Sequence, residues 1–257
     1  MKILKLGQML GGSNTPSAAG FENLYSLDFD GVNDYVTIPD HASYTPTSLT
    51  GWTISCWVKL SIVNKIFVSK RTTPNIEWNL GAAKTTGYAS MIFYGGNSLG
   101  NVLKLAAHIN ISDGNWHHVM FTFDGLANST SIIGYIDGTK YSVALGNATF
   151  VTVGSWTGVT NTVAPLEFGA DRLTWFTACG IDEVSIFDSV LDATTAVDMY
   201  NSGTPTDLTG ATDLQGWWRN GDIAGTSVYP TIEDYSSVGN DGTMTNMASG
   251  DIVTDVP

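Results

Sequence analysis

Asp182 and Glu183 are neighbouring carboxylates in the apolar run Gly180 to Phe187. Retaining glycoside hydrolysis needs two carboxyls about 5 Å apart, and successive strand residues point to opposite faces, so this pair is expected to diverge. The same reasoning separates His117 from His118, which cannot share one metal ion as strand neighbours. No Gly-x-Ser-x-Gly stretch exists to expose a nucleophile. Gly81, Gly87, Gly95 and Gly96 lack the Lys and helix of a phosphate loop. Asp28 to Asp34 begins like a calcium loop, but Val32 and Pro39 stand where oxygen ligands are required. No catalytic set emerges, and the expectation is a non-enzymatic protein.

Binding chemistry has better candidates. A sugar is held by stacking an aromatic ring on its pyranose face while amides, carboxylates or guanidinium groups bond its hydroxyls. Trp156 in Gly154 to Gly158, Trp175 near Asp171 and Arg172, and an exposed Tyr94 beside Gly95-Gly96-Asn97 are the candidate ligand-binding residues. Each ring could equally cap the edge of a core. Strand parity groups Asp182 with Val184 and Ile186 in a core-facing row, where a carboxylate needs either a cation or several N–H donors.

The elements carrying these residues read as strands. Only 14% of the 257 residues are charged, and abundant Thr, Ser, Asn and Gly favour strands and turns. In Trp52 to Lys59, residues Trp52, Ile54, Cys56 and Val58 share one face. Trp116 to Phe123 ends at the turn signal Asp124-Gly125, and Gly134 to Ile136 ends at Asp137-Gly138. Further strands are expected around Ile66 to Ser69, Tyr88 to Tyr94, Leu103 to Ile109, Leu166 to Gly169 and Ile181 to Phe187. One short helix, Ala193 to Asn201, is expected after an Asp192 cap, with Gly203 ending it. The net charge of −13 repels phosphate backbones, so nucleic acid is not an expected partner. No apolar run reaches the roughly 20 residues of a membrane span. Cys56 and Cys179 are too few for a disulfide framework and are expected to be free thiols.

Taken in order, Phe29 to Val36, Trp52 to Lys59, Asp113 to Val119, Tyr135 to Gly138, Phe168-Gly169 and Gly180 to Val184 resemble the concanavalin A-like, laminin-G-like jelly-roll family. The resemblance implies an all-β, two-sheet antiparallel jelly-roll sandwich with variable rim loops. Residues 1–20 then form an arm and flexible linker, 21–203 the jelly roll, and 204–257 a C-terminal segment. That segment carries Gly216 to Arg219 and Asp234 to Thr243, text that family members place near their N-terminus. It is expected to complete a sheet, in cis or with a neighbouring subunit. Members often hold one structural calcium, for which Asp182 is the candidate ligand; no other cofactor is implied.

The style of Phe21 to Phe29 resembles openings of phage laminin-G-like proteins. With the N-terminal arm, it leads to an expected structural or host-recognition protein of a virus particle. Its expected partners are other virion proteins held through the arm, a host-surface glycan and further copies of itself. It would reside on the virion surface after cytoplasmic synthesis. The alternative is a bacterial carbohydrate-binding or adhesion module at the cell surface or outside the cell, with glycoside hydrolase a remote third.

Overall fold

A computed structural model describes residues 21–47, 51–222 and 229–257. The expected arm and linker, residues 1–20, lie outside the described residues. The β-branched and aromatic runs pair into two large antiparallel sheets. The eight-stranded sheet runs in the order β10 (Thr139–Tyr141), β9 (Ile132–Ile136), β8 (Trp116–Phe123), β3 (Trp52–Lys59), β15 (Ala178–Phe187), β1 (Ser26–Asp30) and β19 (Ile252–Val253), with β16 (Leu214–Trp218) also on β15. The nine-stranded sheet runs β11 (Ala148–Val153), β7 (Val102–Asn110), β6 (Tyr88–Tyr94), β5 (Ile76–Ala82), β4 (Lys65–Arg71), β12 (Leu166–Phe168), β2 (Tyr35–Ile38), β18 (Gly242–Thr245) and β17 (Thr231–Ile232). A two-stranded hairpin, β13 (Ala170–Asp171) with β14 (Trp175–Phe176), stands apart from both. The jelly-roll expectation is borne out. Strands of the C-terminal segment join both sheets of their own chain, β16 on β15, β19 on β1 and β18 on β2.

Alternation explains the core. Trp52, Ile54, Cys56 and Val58 are buried between the sheets, as their shared face requires. Ring packing ties the layers together, with Trp52 and Trp78 centroids 5.1 Å apart and Phe93 and Phe123 4.5 Å apart. Both cysteines are free and buried. A second apolar cluster, including Met120, Tyr135, Phe187, Met199 and Trp217, fills the opposite side of the eight-stranded sheet. Helix α1 (Ala193–Tyr200) covers that side, and its Tyr200 stacks on the outward-facing Trp57 ring at 5.8 Å. Asp192 caps α1 by accepting from Thr195 N at 2.8 Å. Asn201, at φ 43°, ends the helix in place of the expected Gly203, since its short polar side chain tolerates the left-handed region. Among the described residues no helix is long and apolar enough to cross a membrane.

One local departure reorganises the acids. Along β15, Asp182 lies opposite Trp57 and Ser185 opposite Ser55, so Glu183 and Val184 together face the single Cys56. This β-bulge, with Glu183 at φ 48°, breaks the period of two. Asp182 therefore leaves the row of Val184 and Ile186, contrary to expectation. Nor do Asp182 and Glu183 diverge across the sheet, because both turn from the main core toward the C-terminal segment. Glu183 accepts from Trp217 Nε1 and from Arg219 Nε at 3.1 Å. Burial raises the Glu183 carboxyl to about 7, with Arg219 opposing the rise. Removing one member of a buried ion pair strands the other charge, at a cost of about 3–5 kcal/mol. Arg219→Ala is expected to lower stability by that order in urea unfolding, with partial recovery when Glu183→Gln is added; independent effects of the two changes would refute the coupling.

Candidate functional site

The outer face of the nine-stranded sheet forms a groove of about 870 Å³. Alternation builds its floor. Leu103 and Leu105 enter the core, so Lys104 points out; Met91 and Phe93 enter it, so Ser90, Ile92 and Tyr94 point out. Register then sets Lys104, Ile92, Asn79 and Ser69 side by side across β7, β6, β5 and β4.

The wall is the β13–β14 hairpin, which leaves the sheet at Gly169. That residue has φ 75°, and a Cβ there would lie 2.2 Å from Phe29 Cδ1, so glycine is required. Three hydrogen bonds anchor the hairpin base to β4: Gly169 N donates to Phe67 O at 2.9 Å, Thr177 Oγ1 to Ile66 O at 2.6 Å, and Lys65 Nζ to Phe176 O at 2.9 Å. At the tip, Arg172 and Leu173 take φ 59° and 52°, the sign pattern of a type I′ turn, normally given to Asn and Gly. Thr174 N closes the turn on Asp171 O at 3.3 Å. Trp175, opposite Asp171 in the hairpin register, is left 68% exposed above the floor.

Arg71 organises the polar groups. Its Nη1 lies 3.4 Å from Asp171 Oδ2, and its guanidinium sits 4.6 Å from the centroid of the Tyr94 ring, a cation–π distance. Asn79 Nδ2 donates to the Tyr94 hydroxyl at 3.0 Å. Burial pushes the Tyr94 phenol up against the opposing pull of Arg71. It also raises the Asp171 carboxyl, with Arg71 and then Arg172 opposing. Arg71 Nε, Arg172 Nε and Asp171 Oδ1 make no hydrogen bond with another group among the described residues. Glu167 on β12 lies fully buried beside the hairpin tip, where Oε2 accepts from Leu173 N at 3.1 Å.

Four of the five expected ligand residues, Tyr94, Asp171, Arg172 and Trp175, thus line one groove. Tyr94 ends β6 as expected but differs from expectation in being only 6% exposed, because Arg71 covers its ring and Asn79 holds its hydroxyl. Trp156 lies outside the groove's lining; half-buried at the core edge, it meets Phe123 edge-on at 6.1 Å. Arg71, Asn79, Lys65, Lys84 and Lys104 were not anticipated. The available signal was a lysine between two core leucines, which marks an outward face but not its neighbours. Asp182 is fully buried, with Oδ2 accepting from Asn23 Nδ2 at 3.0 Å and Oδ1 from Glu183 N at 2.8 Å. Each oxygen thus has one N–H donor, the alternative to a cation that the sequence left open for this carboxylate. Among the described residues no group of three His, Cys, Asp or Glu is placed to hold a metal ion.

A protein of Bacteroides ovatus ATCC 8483, whose description proposes carbohydrate binding, superposes with TM-score 0.61 at 14% identity over 92% of this chain and 62% of its own. The chain thus spans less than two thirds of that structure. The heptameric SAP-like pentraxin of Limulus polyphemus gives TM-score 0.48 at 12% identity, over 70% of this chain and 84% of its own. The binding domain of Paraclostridial Mosquitocidal Protein 1 gives 0.47 at 14% identity, over 86% and 56%. Among curated proteins, none matches the sequence significantly. The family model for the concanavalin A-like lectin/glucanases superfamily, in its laminin-G form, matches residues 30–196. Well over half of the sequence is covered by that match, and the two-sheet sandwich agrees with it: the chain belongs to the concanavalin A-like lectin/glucanase superfamily.

Proposed function

We propose that the groove beneath Trp175 binds a carbohydrate. The carrying observation is the exposed Trp175 ring, with Asp171 beside it on the hairpin wall, above a floor that holds Arg71, Asn79 and Tyr94: an aromatic platform with a few fixed polar groups. The carbohydrate binding proposed for the Bacteroides ovatus protein is consistent with a recognition role for this fold, although function resides in the site rather than the fold. In the finer reading, this recognition domain belongs to the surface of a virus particle. Support for that comes from the sequence of residues 1–29 and from a jelly roll that carries a sheet-completing C-terminal segment. Mass spectrometry of purified virions tests it, and absence from every particle defeats it; the alternative is a bacterial carbohydrate-binding or adhesion module.

Hydrolysis is the competing use of the groove, because Glu167 resembles a general acid. Burial raises its carboxyl to about 8, with the Leu173 N–H opposing and Asp171 adding to the rise. A glycosidic oxygen cannot reach it, however, since the side chain is fully buried and proton transfer needs hydrogen-bond contact. Binding without turnover is the reading the geometry supports.

Trp175→Ala is expected to weaken saccharide binding about tenfold or more by calorimetry. Stability should change by less than about 0.5 kcal/mol, because the ring is exposed. Equal affinity of the variant would overturn the assignment. Glu167 gives a separate expectation from its buried proton. Its folded pKa of about 8 exceeds the ordinary 4.5, so its stabilising contribution is full below pH 4.5 and is lost as pH rises through 8. Glu167→Gln carries no such loss. Its urea midpoint should gain on the parent protein between pH 5 and pH 8.5, and parallel pH profiles would refute this account.

A further inference from the structure

The groove reverses the charge of the molecule around it. The chain has 24 acids and 11 bases, yet Lys65, Arg71, Lys84, Lys104 and Arg172 all line this one surface, and Asp171 is its sole acidic lining residue. The two arginines share that carboxylate, at 3.4 and 4.0 Å. Lys65 spends a donor on a backbone carbonyl, and neither Lys84 nor Lys104 forms an ion pair among the described residues. Half-buried Lys104 has its ammonium pKa pushed down by desolvation, as happens to a buried cation without an anion to offset burial. Arg71, over nine-tenths buried, keeps its Nε without a hydrogen-bond partner beside the same floor. Five cations gathered against a −13 background focus a positive field into the cleft.

Resting on the carbohydrate reading above, we infer that the groove selects an anionic saccharide, one bearing a carboxylate or sulfate that Lys104, Lys84 and Arg172 receive while the sugar ring stacks on Trp175. A neutral sugar would use the aromatic face and amides but leave the lysines unpaired. Arg172 has the planar fork for a bidentate contact, whereas the two lysines act as point charges.

The test is a glycan array carrying neutral, carboxylated and sulfated saccharides, probed with the full chain in 0.05 and 0.5 M NaCl. Calorimetry then follows with the best acidic binder and its neutral parent. Acidic glycans should dominate, and higher salt should weaken them severalfold because the screening length shortens. The variant Lys84→Gln/Lys104→Gln should lose about three- to tenfold in affinity for the acidic ligand, with the neutral parent unaffected. Lys140→Gln, on β10 of the other sheet, should match the parent protein. Selective carboxylate or selective sulfate binding identifies which anion is read, and either supports the inference. Neutral glycans bound as tightly, insensitive to salt and dependent on Trp175, would overturn the anion inference and leave the carbohydrate reading intact. No binding to any array class would overturn both.

Discussion

Arg219 is the group on which the segment before β1, the bulge of β15 and the turn after β16 converge. Its guanidinium meets Glu183 at 3.1 Å and Asp222 at 3.0 Å, donates to Glu22 O at 2.6 Å and covers the Phe21 ring at 4.3 Å. Asp222 in turn accepts from Leu24 N and Tyr25 N at 2.7 and 3.0 Å. One side chain therefore fixes the entry to β1, the bulge in β15 and the end of β16. Burying two carboxylates costs several kcal/mol each unless the charge is matched and the oxygens are bonded. A planar fork of donors can do both, where a lysine ammonium would supply charge without the spread of contacts. The register of the C-terminal strands follows from this demand, since moving β16 by one residue would take Arg219 from Glu183 and leave an acid alone in the second core.

The opposite sheet is anchored by a different buried pair. Lys70, fully buried, donates to Glu77 Oε1 and Asp40 Oδ1, both at 2.7 Å, while Thr162 N and Oγ1 donate to the same Glu77 oxygen at 2.7 and 2.6 Å. This knot holds the ends of β4 and β5 against the loop before β12. Those two strands supply Arg71 and Asn79 to the groove. Rigid framework and polar floor are consequently parts of one structure, which suits a surface that must present donors at fixed positions. Acids serve the fold at Glu183, Asp222 and Glu77, whereas the cations lining the groove are mostly left without acidic partners. That division explains how a strongly acidic protein carries a positive cleft.

Much of the architecture was legible because the sandwich writes itself as alternation: Trp52 to Lys59 and Trp116 to Phe123 reveal their buried faces directly. Part of the site was legible too, since Asp171, Arg172 and Trp175 lie close together in one turn. The remainder depends on pairing at a distance. Lys104, Asn79 and Arg71 become neighbours only through the order β7-β6-β5-β4, and no local pattern announces that order. Tyr94 looked exposed beside two glycines, but the guanidinium above it arrives from β4. Asp182 was placed on the wrong face because Glu183 adopts φ 48°, a conformation uncommon in glutamate and unmarked by glycine or asparagine. A bulge shifts parity for every earlier residue of its strand, so one concealed irregularity misplaces a whole row.

The same conformational economy shapes the groove's wall. Arg172 and Leu173 both occupy the left-handed region, at about 1–2 kcal/mol each relative to ordinary backbone. A glycine pair would relieve that strain while removing a guanidinium and loosening the turn. The strain persists because the hairpin base is tied to Ile66 and Phe67, and because Asp171 is held by Arg71, contacts that leave the tip few alternatives. Trp175 is therefore presented before any ligand arrives, and little ordering of the loop remains to oppose binding. A turn built from costly residues but firmly tied at its base is a stable way to hold an aromatic ring in water. The burial that would normally hold such a ring is absent, and the hydrogen bonds and ion pair that anchor the turn take its place.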